Sequence, residues 1–102
     1  MEGTVPQKVQ SIISADKVVI FSKSRCAFCT EVKKLFEKKG QAVTAVELDK
    51  TPECFEMQDY LEELTGARTV PRVFIWGICY GGCNDLKNLD RSGKLDKILE
   101  QS

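Results

Sequence analysis

At 102 residues, with 42% apolar and 29% charged side chains, the chain matches one soluble globular domain with its own core and little room for a second. Its 15 basic and 15 acidic residues cancel, so no global field draws in nucleic acid or an anionic membrane. The cysteines number five, an odd set unlike a secreted disulfide scaffold, and no stretch approaches the ~20 apolar residues that span a bilayer. The start, Met1-Glu2-Gly3-Thr4-Val5-Pro6, has neither the charged nor the apolar part of a secretory signal, so the expected setting is a reducing, soluble compartment, most simply the cytoplasm.

Pro6 is placed to open a short helix in which Val9, Ile12 and Ile13 recur at helical spacing, and Asp16-Lys17 breaks it. Val18 to Phe21 is continuously apolar and largely β-branched, the signature of a strand buried on both faces. The period then changes. Cys29, Val32, Leu35 and Phe36 share one helical face, with Glu31, Lys33, Lys34, Glu37 and Lys38 on the other and Gly40 as the stop. Ala42 to Leu48 reads as the next strand. Thr51 is the expected cap and Pro52 the first residue of a helix whose stripe is Cys54, Met57, Tyr60, Leu61 and Leu64, ended by Gly66.

After Thr69-Val70-Pro71 comes a strand, Val73 to Trp76, then a tight reversal at Gly77-Ile78 and a returning strand from Cys79-Tyr80. Gly81-Gly82 ends the hairpin. Leu86 and Leu89 mark one short helix and Leu95, Ile98 and Leu99 another, separated by Ser92-Gly93. The first strand–helix–strand unit requires a right-handed crossover between parallel strands. The expected architecture is α/β, a mixed four-stranded sheet flanked by helices, as a single domain over residues 1–102.

Chemistry concentrates at Lys23-Ser24-Arg25-Cys26-Ala27-Phe28-Cys29, where a strand gives way to a helix. A thiol capping that helix faces unsatisfied N–H groups and the positive end of the helix dipole, with Lys23 and Arg25 beside it. All of these favour thiolate over thiol. Cys29, three residues on, lies on the same side of the first turn and can reach the first sulfur. The competing reading is half of a zinc site, but there is no histidine, and the spacing of Cys79 and Cys83 poorly matches common zinc frameworks. Cys54 and Cys79 read as packing residues. Phe28 reads as an apolar lid between the thiols or as a core contact.

Three separated segments, Lys23 to Cys29, Thr69-Val70-Pro71 and Gly81-Gly82-Cys83-Asn84-Asp85, together resemble the glutaredoxins. The run from Gln58-Asp59-Tyr60-Leu61 to Ile75 is especially similar to the dithiol members. The resemblance implies a thioredoxin fold and a glutathione-dependent thiol–disulfide oxidoreductase acting on glutathionylated or disulfide-bearing proteins. Cys26 would be the nucleophile and Cys29 the resolving thiol. Lys23 and Gln58, with help from Arg68, would hold the glycine carboxylate of glutathione. Thr69 and Val70, before a cis Pro71, would line the cysteinyl part beside Phe28. Gly82, Cys83 and Asn84 would bind the γ-glutamyl carboxylate, with Asp85 near its ammonium.

The motif departs from the commonest dithiol pattern, with Ala27 and Phe28 where Pro and Tyr usually stand. Family members with a small residue at this position can hold a [2Fe-2S] cluster between two protomers through protein and glutathione thiolates. An iron–sulfur carrier or sensor dimer is therefore the alternative to a monomeric enzyme. Trp76-Gly77-Ile78 is the other oddity, either a partner surface or a tip packed on a helix.

Overall fold

The strand Val18–Ser22 (β1) forms the centre of the molecule because all five of its residues are buried, which only a strand covered on both faces tolerates. The computed structural model describes residues 3–101. Around β1 the chain runs as α1 (Val5–Ala15), β1, α2 (Ala27–Lys38), β2 (Thr44–Glu47), a 3-10 turn (Leu48–Lys50), α3 (Cys54–Thr65), β3 (Arg72–Ile75), β4 (Ile78–Gly81), α4 (Cys83–Arg91) and α5 (Lys94–Glu100). The sheet order is β2-β1-β3-β4, with β1 and β2 parallel and the other pairs antiparallel. This is the expected mixed sheet. Among the described residues, no helix is long and apolar enough to cross a membrane.

Alternation along the central strands divides the core in two. Val18, Ile20, Val73 and Ile75 pack with Val32 and Phe36 of α2 and with Leu86, Leu95 and Leu99 of α4 and α5. Val19, Phe21 and Phe74 face the other way, onto Val9 and Ile13 of α1 and Met57 and Leu61 of α3. Phe21 and Phe74 meet edge to face at 5.7 Å between ring centres. Full burial contributes roughly 1.5–3 kcal/mol for each large apolar side chain, so these two layers fix where the ends of β1 and β3 emerge.

Three local expectations are corrected. Helix α3 begins at Cys54 rather than at Pro52, because Thr51 Oγ1 instead accepts from the Glu53 N–H at 3.3 Å, closing a turn. Leu64, expected in its apolar stripe, is exposed, while the polar Gln58 is buried. The hairpin reverses one residue early. β3 ends at Ile75, β4 starts at Ile78, and the loop is Trp76-Gly77 with φ of 51° and 79°.

Positive φ at both loop positions suits a right-twisted hairpin, and Asn-Gly is its favoured sequence. A bulky residue in the left-handed region carries a cost of about 1–2 kcal/mol. Partial compensation comes from Lys17, whose ammonium lies 5.6 Å from the centre of the Trp76 ring. Trp76→Asn is therefore expected to stabilise the fold by about 1 kcal/mol, raising Tm by roughly 4–8 °C in a thermal melt. A lowered Tm would show that the tryptophan contacts outweigh the backbone strain.

Candidate active site

Cys26 is the N-cap of α2, with extended backbone at φ −107° and ψ 116°. Its sulfur accepts the Cys29 backbone N–H at 3.2 Å, satisfying one orphan donor of the helix start. A thiolate accepts such a bond better than a thiol does. The Val70 carbonyl lies 3.9 Å from the same sulfur. The loop leading to the cap is anchored by Asp49, which accepts from the Ser24 N–H at 3.0 Å and from the Ser24 hydroxyl. Those two bonds hold the Asp49 carboxyl below its usual range.

Cys29 is fully buried. Burial first, and then its hydrogen bond to Cys26, push its thiol above the ordinary value of 9.0. The two sulfurs thus occupy different surroundings, one partly exposed at a helix tip and the other sealed beneath it. Cys83 is likewise buried, and burial raises its thiol too.

Beside Cys26 runs a groove of about 360 Å³ lined by Phe28, Thr69, Val70, Pro71, Arg72, Gly82, Cys83, Asn84 and Asp85. Val70–Pro71 is a cis peptide. Phe28 is 57% exposed, so it is a wall of the groove and not a core contact. The far wall is the start of α4, where Asp85 Oδ2 accepts the Gly82 N–H at 2.9 Å. A register shift between Val73 and Phe74, where Val73 pairs with Gly81 and Phe74 with Cys79, leaves Tyr80 as the extra residue and turns the chain into this wall.

The double glycine has a steric reason. A Cβ on Gly81, whose φ is 103°, would come within 2.2 Å of the Asp85 carboxylate, and one on Gly82 within 2.9 Å of the Arg72 guanidinium. Two charged groups close around glycines that leave them room.

Of the residues expected to bind, the groove unites Phe28, Thr69, Val70, Pro71, Gly82, Cys83, Asn84 and Asp85. Lys23, Gln58 and Arg68 are not in its lining. Gln58 is buried, and its amide donates to the Arg68 carbonyl at 3.2 Å, while its oxygen accepts from the Cys54 thiol at 3.6 Å. The Arg68 guanidinium pairs with Asp59 and reaches the Phe55 carbonyl at 3.5 Å. Lys23 is half-buried, and no carboxylate among the described residues pairs with it.

Sequence reasoning missed Arg72, which lines the groove from the first position of β3. The available signal was a cation opening a strand that is otherwise wholly apolar through Ile75, a place where charge needs a purpose.

A parallel β-α-β unit carrying one accessible and one buried thiol at a helix start, opposite a cis-proline loop, defines a thiol–disulfide oxidoreductase of the thioredoxin fold. Comparison with known proteins narrows the class. The glutaredoxin family model matches residues 18–79. Glutaredoxin-C6 of Oryza sativa subsp. japonica is 45% identical over 95 residues, covering 93% of this chain and 85% of the rice protein. Wheat glutaredoxin superimposes with a TM-score of 0.91 at 46% identity, over 94% of this chain and 91% of the wheat chain. A buckwheat glutaredoxin–glutathione complex matches with a TM-score of 0.91 at 40% identity, over 93% and 86% of the two chains. The chain belongs to the glutaredoxin family and is a glutathione-dependent oxidoreductase.

Proposed function

We propose that the protein reduces protein–glutathione mixed disulfides, and protein disulfides, through the thiolate of Cys26. The carrying observation is the position of its sulfur, which accepts the Cys29 N–H and lies 3.9 Å from the carbonyl of Val70, a residue lining the neighbouring groove of about 360 Å³. Cys26 attacks the glutathionyl sulfur. The substrate's S–S bond breaks, its thiolate leaves and takes a proton from water, and a Cys26–glutathione disulfide forms. A second glutathione thiolate then attacks the glutathione sulfur of that intermediate, giving glutathione disulfide and returning Cys26. With a protein disulfide, Cys29 instead attacks the Cys26 sulfur, releasing a dithiol substrate and leaving a Cys26–Cys29 disulfide for glutathione to reduce. A reducing compartment such as the cytoplasm supplies the glutathione.

Glutathione has two carboxylates and one ammonium, so its ends require different surroundings. Val70 offers main-chain partners to the cysteinyl part, and the α4 start faces the γ-glutamyl end. Lys23 is the cation for the glycine carboxylate, aided by the Gln58 amide, which Arg68 and Cys54 hold in place. The decisive experiment is reduction of a small glutathione mixed disulfide, coupled to glutathione reductase. Turnover that saturates in the mixed disulfide and requires glutathione is expected; its absence would end this reading.

A [2Fe-2S] cluster shared by two copies is a second reading, favoured by the exposed Ala27 beside a reachable Cys26. The donor set fits. Cys26 would be the ligand from each copy and glutathione would supply the other thiolates, whereas Cys29 is sealed in the core. Such a cluster would supply electron-carrier or sensor chemistry. Anaerobic incubation with iron, sulfide and glutathione should give a coloured dimer from the wild type and none from Cys26→Ser. A colourless wild-type preparation would remove this reading.

A further inference from the structure

Arg72 is a charged side chain in a place where charge is costly. It is 9% exposed, and among the described residues no carboxylate pairs with it. Its hydrogen bond within the protein runs from Nε to the Pro71 carbonyl at 3.2 Å, leaving the two Nη groups without a carboxylate. A guanidinium carries five donors in a fixed fork suited to carboxylate. The stem is buried, yet among the described residues no side-chain nitrogen is sealed off without a partner, so the Nη groups open towards the groove and are free to meet an anion there. The same side chain lines the groove, with Nη2 2.9 Å from where a Gly82 Cβ would stand.

The surroundings say which anion it awaits. Against the neighbouring glycine, Gly81, stands the Asp85 carboxylate, which also lines the groove and is held by the Gly82 N–H. One buried cation and one carboxylate therefore flank the two glycines, at the first turn of α4. That is the complement of a zwitterion, an α-amino acid group with its ammonium towards Asp85 and its carboxylate towards Arg72. The amides at the start of α4 would bind an anion alone, but the neighbouring Asp85 charge works against one there. A fixed positive charge behind the amides offsets that repulsion.

We propose that Arg72 is a specificity-determining residue of the groove, the cation that makes its α4 end select the free α-carboxylate of a γ-glutamyl group. The inference rests on the glutathione reading above and assigns the selection to one side chain. It separates this end from the glycine end. Lys23 reads the carboxylate beyond the cysteinyl residue, and Arg72 reads the one that distinguishes a γ-glutamyl tripeptide from a shorter or decarboxylated peptide.

The test uses two small mixed disulfides, one made from glutathione and one from 4-aminobutyryl-cysteinyl-glycine, which lacks only the α-carboxylate. The readout is the ratio of their kcat/KM values in wild type, Arg72→Met and Arg72→Lys. Wild type should prefer glutathione by about a hundredfold, and Arg72→Met should reduce that ratio about tenfold or more, as loss of a charged hydrogen bond does. Arg72→Lys should retain most of the preference. A general structural defect would slow both substrates equally and leave the ratio unchanged, and an unchanged ratio in Arg72→Met overturns the proposal. Should that variant fail to fold by circular dichroism, Arg72→Gln removes the charge, keeps a donor, and reads the same ratio with the same two outcomes. Failure of the wild type to use the glutathione substrate would instead strike the proposed function itself.

Discussion

Cys26→Ser is expected to lose both routes of disulfide reduction, by on the order of a thousandfold or more, while Cys29→Ser keeps reduction of glutathione mixed disulfides within about threefold of wild type. The difference follows from which atom of Cys29 serves Cys26. The bond that caps α2 at the Cys26 sulfur comes from the Cys29 backbone N–H, at 3.2 Å, and a change of side chain leaves it in place. Serine nearly matches cysteine in volume, so the fully buried site should accept it without a large cavity. Cys29→Ser removes one capability, attack on a Cys26 sulfur already bound to a substrate. Reduction of protein disulfides should therefore fall by on the order of a hundredfold, the advantage of an oriented intramolecular thiol over one from solution. The coupled assay, run with a glutathione mixed disulfide and then with a protein disulfide, separates the routes. Equal losses in the two variants would reject the division of labour between the thiols.

The sequence showed this site because its chemistry is local where the chain is local. A cysteine following a buried run and preceding a helical period had to land at a helix N-cap, and Cys26 does. The Gly-Gly pair before Asp85 likewise marked the end of the hairpin. Burial of β1 was visible in its unbroken apolar run. Less visible was anything decided by a distant partner. Gln58 and Leu64 share a helix, but α3 packs so that the amide is buried against the Arg68 loop while Leu64 points out, and periodicity alone prefers the reverse. The Trp76-Gly77 turn was misread by one residue because Ile75 pairs directly with Ile78, and register is settled across the ladder. Arg72 was missed for the same reason. Its place in the groove depends on Gly82, which approaches it only when β3 and β4 pair.

Alkylation of the reduced protein at pH 7 is expected to leave Cys29 and Cys83 almost unmodified under conditions that label Cys26. Burial pushes both thiols above their ordinary value, so at pH 7 little of either is thiolate, the form that reacts. Burial adds a second barrier, since the reagent must reach a sulfur sealed from solvent. The sign of the pH dependence is fixed. Labelling of either residue should climb about tenfold per pH unit through neutrality and keep climbing past 9.0, where a free thiol has begun to level off. Stability runs the other way. The folded chain holds these protons to higher pH than the unfolded chain does, so their contribution is full below the ordinary thiol value and declines as pH rises through the raised one. For Cys29, part of the shift comes from the hydrogen bond and charge of Cys26. That part lasts only while Cys26 is free. Once Cys26 enters a mixed disulfide it no longer raises its neighbour in this way, and Cys29, though still held up by burial, ionises more readily at the step that would need its thiolate. Cys26→Ala removes the same neighbour and should speed Cys29 labelling at pH 8 several-fold, read by peptide mass spectrometry. Labelling of Cys29 at pH 7 as fast as a free cysteine, or no change in Cys26→Ala, would show that the buried thiol is not held in reserve by its neighbour.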